Sequence, residues 1–199
     1  MSKSQKKYLF FIPVFIFIIF AYTNLSAQDQ GDGVDEIEKG RIITEIFGCV
    51  DCHSPKIMEG EFLVNDPDKL FSGHPQDNVL PMFPPDIIGP DKWRGLFTDG
   101  MTAWGGPWGI SYSANLTPDK KTGIGKLTEE NFVSILNIGI HSNMNRKLMQ
   151  PMPWKEISEL EDEDIKAVYK YLRTVKPIKN KVPDSVPLNN HENLAQNQE

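Results

Sequence analysis

Cysteine is almost absent from this 199-residue sequence: Cys49 and Cys52 are the only two. So small a number rules out a Cys₄ zinc site and a disulfide-dense scaffold. Net positive charge is lacking too, since the formal charge is −6. An acidic surface repels phosphate backbones, so no nucleic-acid partner is expected. Apolar residues make up 39% of the chain, a little low for a tightly packed domain, which leaves room for loops and tails. No internal repeat is visible, no βαβ alternation, and no constellation of general acid, base and nucleophile.

One long apolar run is present, at the N-terminus. Lys3, Lys6 and Lys7 precede an almost unbroken apolar stretch from Tyr8 to Tyr22, and Leu25-Ser26-Ala27 offers a cleavage site. Residues 1–27 are therefore expected to be an export signal, which places the mature chain in the periplasm. The run falls short of the ~20 residues a membrane span needs, and Pro13 argues against a stable anchor. Leu25 is larger than the small residue usual at such a site, so an uncleaved inner-membrane anchor remains the alternative. No cysteine follows the run, which excludes a lipoprotein anchor. Without residues 1–27 the chain carries 18 basic against 27 acidic residues, a net charge near −9. That balance suits a partner with a basic docking face, or serves plain solubility.

Residues 28–33 have the composition of a flexible leader. Val34, Ile37, Ile42, Ile43, Ile46 and Phe47 recur at roughly helical spacing, which predicts an amphipathic helix delivering the chain into Cys49, with Gly48 as its stop. From Ser54 to Asn115 the pattern changes. Pro81, Pro84, Pro85, Gly105, Gly106 and Pro107 prevent long helices there. The same stretch holds Trp93, Trp104 and Trp108, three of the four tryptophans. So long a loop needs a task, and covering a large flat cofactor with aromatic side chains would be one. A second helix is expected from Thr128, with the Thr128 hydroxyl as cap and Phe132, Ile135, Leu136 and Ile138 as its stripe, ending near Gly139. A third is expected from about Glu161 to Val175, with Ile165, Val168, Leu172 and Val175 on one face, an acidic start over 159–164, and Pro177 as terminator. Ser158 and Glu161 would form a capping box if it begins earlier. Beyond it the chain is polar and proline-spotted, so residues 179–199 are expected to be a disordered tail, with Lys176, Lys179 and Lys181 solvated.

Chemistry concentrates in Cys49-Val50-Asp51-Cys52-His53. Two thiols separated by two residues on a helical turn can each add to one vinyl group of haem, and the histidine that follows then lies under the iron. Cys-x-x-Cys-His is the attachment signature of c-type haem. A redox dithiol of the thioredoxin kind would need a βαβ context that is missing here, and a structural disulfide is the remaining bland reading. One haem c, covalently bound, with His53 as iron ligand, is the expectation.

A sixth ligand must be methionine or histidine, and methionine raises the reduction potential. The candidates are Met58, Met82, Met101, Met144, Met149, Met152, His74, His141 and His191. Met152 lies in Gln150-Pro151-Met152-Pro153-Trp154, between two prolines whose fixed φ can hold a thioether in place without secondary structure. It also lies between the second and third helices. Met152 is preferred, with Met149 and His141 as competitors and a gap-filling core role as its bland alternative. His74 and His191 are expected to be solvated.

In its order of helix, Cys-x-x-Cys-His, long loop, helix, methionine loop and final helix, the sequence resembles a class I cytochrome c domain. Asn115-Leu116-Thr117-Pro118-Asp119, Thr122-Gly123-Ile124-Gly125 and Pro151-Met152-Pro153-Trp154 further resemble the cytochrome c subunits of bacterial periplasmic dehydrogenases. The resemblance covers about residues 34–178. It implies an all-α fold, with three main helices around one covalent haem and a long proline- and glycine-rich loop. It makes Met152 the distal ligand, puts Trp154 and the Asn115 region at the haem edge near a propionate, and matches Pro107 to the proline whose carbonyl orients the proximal histidine. Relatives often carry two or three such domains, whereas this chain has one haem motif, an unusually long first loop and a polar tail.

With two strong axial ligands the iron has no vacancy for substrate, so the implied function is electron transfer rather than enzymatic catalysis. The implied redox partner is a dehydrogenase, a terminal oxidase or another cytochrome. A haem enzyme or gas sensor with an open distal position is the alternative, and requires that Met152 not ligate. The membrane is involved only through an uncleaved N-terminal anchor.

Overall fold

Glycine decides how the two terminal helices meet. A computed structural model of the protein describes residues 35–82, 85–141 and 146–187. The expected signal segment, the leader, Met144 and His191 lie outside the described residues. Helix α1 covers 35–46, and a Cβ built on its Gly40 would lie 2.0 Å from the carbonyl oxygen of Ala167. Ala167 belongs to α5 (Asp162–Leu172), so the two helices touch backbone to backbone at this point. Lys39 pairs with Asp164, and Lys170 Nζ lies 2.5 Å from Glu36 Oε2, which adds ion pairs along the crossing.

Helix α2 (Cys49–His53) follows after Gly48, whose φ of 64° turns the chain sharply between α1 and the cysteine motif. Helix α3 (Glu129–Ile138) has the ends its sequence predicts. Thr128 Oγ1 accepts from the Asn131 amide at 3.2 Å, and Gly139, at φ 67°, closes the far end by donating to Ile135 O. The buried side of α3 (Phe132, Val133, Leu136) packs with Ile165, Val168 and Leu172 of α5 and with Phe71, Ile124 and Ile157. Ile165 and Leu172 are wholly enclosed, and burial of such a side chain stabilises by about 1.5–3 kcal/mol. The short α4 (Trp154–Ile157) precedes α5. Glu161 occupies the N-cap position of α5 without a side-chain hydrogen bond, and Asp162, Glu163 and Asp164 fill its first turn, as the acidic run predicts. Ser158 ends α4 instead of opening a capping box, its hydroxyl donating to Lys155 O.

The all-α expectation needs correction in the segment between α2 and α3. Among the described residues, three small antiparallel sheets accompany the helices. Strands β1 (Lys56–Glu59) and β2 (Phe62–Asn65) form a hairpin around Gly60, at φ 64°. Strands β3 (Leu96–Phe97), β4 (Ala103–Gly106) and β5 (Gly109–Tyr112) form a three-stranded sheet in that order. Strands β6 (Ile140–His141) and β7 (Arg146–Lys147) pair after α3. Gly106 and Gly109 face each other across the Pro107-Trp108 turn. The glycines and prolines that forbid helix here therefore mark hairpin turns.

The expectation of a disordered tail from 179 is likewise corrected for its first part. Asn180 is buried and held by its neighbours on every polar atom. Further along, Ile110 and Val186 exchange two backbone hydrogen bonds of 2.8 and 2.9 Å. Polar composition did not mean solvation, because the polar atoms at 180 satisfy buried backbone groups.

Candidate haem-binding cleft

Helix α2 lines a cleft whose other walls come from β5, the 113–116 segment, α3, the 146–153 segment and residues 181–185. Its larger lobe holds a cavity of about 330 Å³ that opens to solvent, within the roughly 300–1,000 Å³ of ligand pockets. Leu116, Ile124, Leu127, Phe132, Ile135 and Leu136 make that lobe strongly apolar. Cys49, His53 and Met152 line both lobes, and Cys52 and Met149 line the smaller one.

His53 is fixed from behind. Its Nδ1 lies 2.8 Å from the carbonyl oxygen of Ala114. A carbonyl can only accept, so Nδ1 carries the proton and Nε2 keeps a free lone pair. Burial also holds the imidazole below its ordinary pKa, favouring the neutral form that ligates metals. The carbonyl expected from Pro107 is therefore that of Ala114. Pro107 occupies the exposed β4–β5 turn, where Gly-Pro-Trp-Gly acts as turn chemistry. A backbone carbonyl leaves no trace in side-chain type, and the one local hint is that Ala114 directly precedes the Asn115 block.

The segment behind His53 is pinned at several points. Gly73 donates to His53 O at 2.8 Å, His74 N–H donates to Ser113 O at 2.9 Å, and Ser113 Oγ donates to Cys52 O. His74 is fully buried, against the expectation of a solvated residue, with Nδ1 2.9 Å from Thr102 Oγ1 and its ring 4.9 Å from that of Tyr112. It lines neither lobe of the cleft, which removes it as an iron ligand.

The two thiols are unsuited to disulfide exchange. Burial pushes the Cys49 thiol up to about 11 and raises that of Cys52 as well. A redox dithiol needs a lowered thiol pKa, so the thioredoxin-like reading loses its chemical basis. Among the described residues, no group of three or more His, Cys, Asp and Glu forms a ligand set for a bare metal ion. An apolar cleft bordered by two thiols and a histidine with one nitrogen held from behind fits a covalently attached haem.

Several expected cofactor contacts are reassigned. Trp154 lies against Gly139, where a built Cβ would come within 2.7 Å of its ring, and it does not line the cleft. Of the loop tryptophans only Trp104 reaches the cleft; Trp108 folds onto Gly95 and Gly106, and Trp93 is exposed. Asn115 does line the larger lobe, but its side chain is committed to protein. Nδ2 donates to Ile178 O at 2.8 Å, and Oδ1 accepts from the Thr117 amide and hydroxyl. Met58 and Met82 are exposed on the surface. His141 borders the larger lobe with a buried Nδ1 that has no partner among the described residues, and burial and Arg146 hold its pKa low. Met152, Met149 and His141 are therefore the described candidates that border the cleft. Ala114, Arg146, Lys121 and Lys181 border it without having been singled out for it by their sequence context.

Among curated proteins, the chain is 41% identical over 85 residues, 42% of its length, to the fructose dehydrogenase cytochrome subunit of Gluconobacter japonicus. It is 41% identical over 81 residues, 39% of its length, to the cytochrome c subunit of the quinone alcohol dehydrogenase of Gluconobacter oxydans. A longer match, 28% over 160 residues and 80% of the chain, is to the gluconate 2-dehydrogenase cytochrome c subunit of Pantoea cypripedii. The matched regions span 17%, 17% and 27% of those proteins. No family model matches. The chain is thus similar to the cytochrome c subunits of bacterial dehydrogenases, and it matches only a fraction of each. Among the described residues, no helix is long and apolar enough to cross a membrane.

Proposed function

We propose that this chain is an exported, single-haem c-type cytochrome that carries electrons in the periplasm and exchanges them with a dehydrogenase. The observation that carries the reading is the shared cleft: Cys49 and His53 border it from α2, His53 with its Nδ1 held by Ala114, and Met152 borders both lobes. The relatives' names, all dehydrogenase cytochrome subunits, support the partner class.

In this reading Cys49 and Cys52 would hold the haem through thioether bonds, and His53 and Met152 would be the side chains that bind its iron. Haem supplies a reversible one-electron couple when bound. The protein's part is positional. Ala114 fixes the histidine tautomer and strengthens it as a ligand. Leu116, Ile124, Leu127, Phe132 and Leu136 exclude water, which keeps the thioether of Met152 from being displaced. Held by both His53 and Met152, the iron would have no place for a substrate, and the chain would serve as carrier rather than catalyst.

Visible spectra of the exported full chain, oxidised and reduced, test this. Covalent low-spin haem is expected in the wild type, with a sulfur-ligand band that Met152→Ala alone abolishes while opening the iron to carbon monoxide. An unchanged mutant spectrum would move the sixth ligand to Met149 or His141. Rapid carbon monoxide binding by the wild type would favour the open-site alternative. Absence of covalent haem would overturn the reading altogether.

A further inference from the structure

The segment after α5 behaves as a strap. It is anchored at Asn180, whose Nδ2 donates to Ser72 O at 2.7 Å and His74 O at 2.8 Å, and whose Oδ1 accepts from the Gln76 amide at 3.0 Å. The Asn180 amide donates to Thr122 Oγ1 at 3.0 Å. It is anchored again where Val186 pairs with Ile110. Between the anchors, Lys181, Val182, Pro183 and Asp184 line the larger lobe of the cleft and Ser185 lines the smaller one.

Charge at this rim departs from that of the rest of the molecule. Lys121, Arg146 and Lys181 line the larger lobe, with Asp184 as the one carboxylate there. The chain as a whole is acidic, at −6. Among the described residues, neither Lys121 Nζ nor Lys181 Nζ has a hydrogen bond or ion pair, and Arg146 reaches Asp184 only at 4.0 Å. A guanidinium carries five donors, so the Arg146 fork is largely unspent. His141 borders the same lobe with its unpartnered Nδ1. Cations gathered at the mouth of an apolar cleft fit a ligand that is a flat hydrocarbon body with carboxylates at one edge. Haem has that form, with two propionates.

We infer that residues 179–187 are a strap closing the cleft over its ligand, and that Lys181, with Arg146 and Lys121, forms the carboxylate site that receives the haem propionates. The inference rests on the haem reading above and adds to it the residues that hold the propionate edge. It reassigns that edge from Trp154 and Asn115 to three basic residues drawn from separate segments. Lys181 reaches that edge because the strap is seated on either side of it, at Asn180 and at Val186.

The test compares exported holoprotein of wild type, Lys181→Gln, Arg146→Gln and the double variant, with Lys176→Gln, exposed beyond the end of α5 and away from the cleft lining, as control. Removing a cation beside the haem favours the ferric form, so the midpoint potential is expected to fall in each single variant and further in the double, with no shift in the control. The propionate bending band in the resonance Raman spectrum is expected to move in the same order, and Lys181→Arg to restore it. All these residues are at the surface, so folding is preserved, and an unchanged visible spectrum verifies the iron ligands. A double variant whose potential and propionate band coincide with wild type overturns the inference. Wild type lacking covalent haem overturns the parent reading instead, so the two failures are distinguishable.

Discussion

The imidazole Nδ1 of His53 and the carbonyl oxygen of Ala114, 61 positions apart in sequence, lie 2.8 Å from each other. This pair couples the cysteine motif to the far end of the intervening loop. It ties the ring that faces the cleft to backbone positioned by β5 and by the turn at Gly73.

Gly73 tests that coupling. Its φ is 77°, and a Cβ there would lie 2.5 Å from Ser113 O and 2.7 Å from Ala114 O. Gly73→Ala is expected to push the Ala114 carbonyl away from His53 and to destabilise the fold by at least about 1 kcal/mol. Denaturant titration gives the stability and the midpoint potential reports the ligand. A variant matching wild type in both would show that the carbonyl is not held as described.

Asn180 tests the strap. Truncation in Asn180→Ala leaves the buried Ser72 and His74 carbonyls and the Gln76 amide without their partner. Each orphaned buried group costs about 1–3 kcal/mol, so a loss on the order of 3 kcal/mol is expected. Trypsin is expected to cut faster after Lys179 and Lys181 in this variant. Wild-type cleavage rates would rule out Asn180 as the anchor.

Gly40 governs the helix crossing. An alanine methyl has no room beside Ala167 O, 2.0 Å from the built Cβ. Gly40→Ala favours α1 by about 1 kcal/mol in propensity alone, so a net loss of stability would isolate the crossing as the stronger effect. A net gain, read from thermal unfolding, would mean that the helices move apart without cost.

His74 makes stability pH-dependent. Burial lowers its pKa in the folded state below the ordinary 6.5. The unfolded chain therefore takes up the proton first, and stability present above pH ~6.5 is lost as pH falls toward the folded value. The slope from this one residue is at most about 1.4 kcal/mol per pH unit. Denaturation of the holoprotein between pH 7 and pH 5 is expected to show a shallower decline in His74→Gln than in wild type. Equal slopes would mean that His74 is protonated in the folded state.

The sequence by itself determined whatever is local. Cys-x-x-Cys-His carries the expectation of haem attachment in five adjacent residues, because two thiols and an imidazole at that spacing suit one porphyrin. Thr128 and Gly139 announced both ends of α3, since capping depends on residues within one helical turn. The Pro151-Met152-Pro153 loop singled out a residue that borders the cleft. Tertiary structure decided what depends on meetings across the chain. That Ala114 rather than Pro107 orients His53, that His74 is buried, that Trp154 packs on Gly139, and that residues 179–187 return over the cleft all rest on partners 15 to 108 positions away. A polar or small residue carries no mark of such a partner. Its burial becomes favourable only once the fold brings a matching carbonyl, amide or bare glycine surface against it.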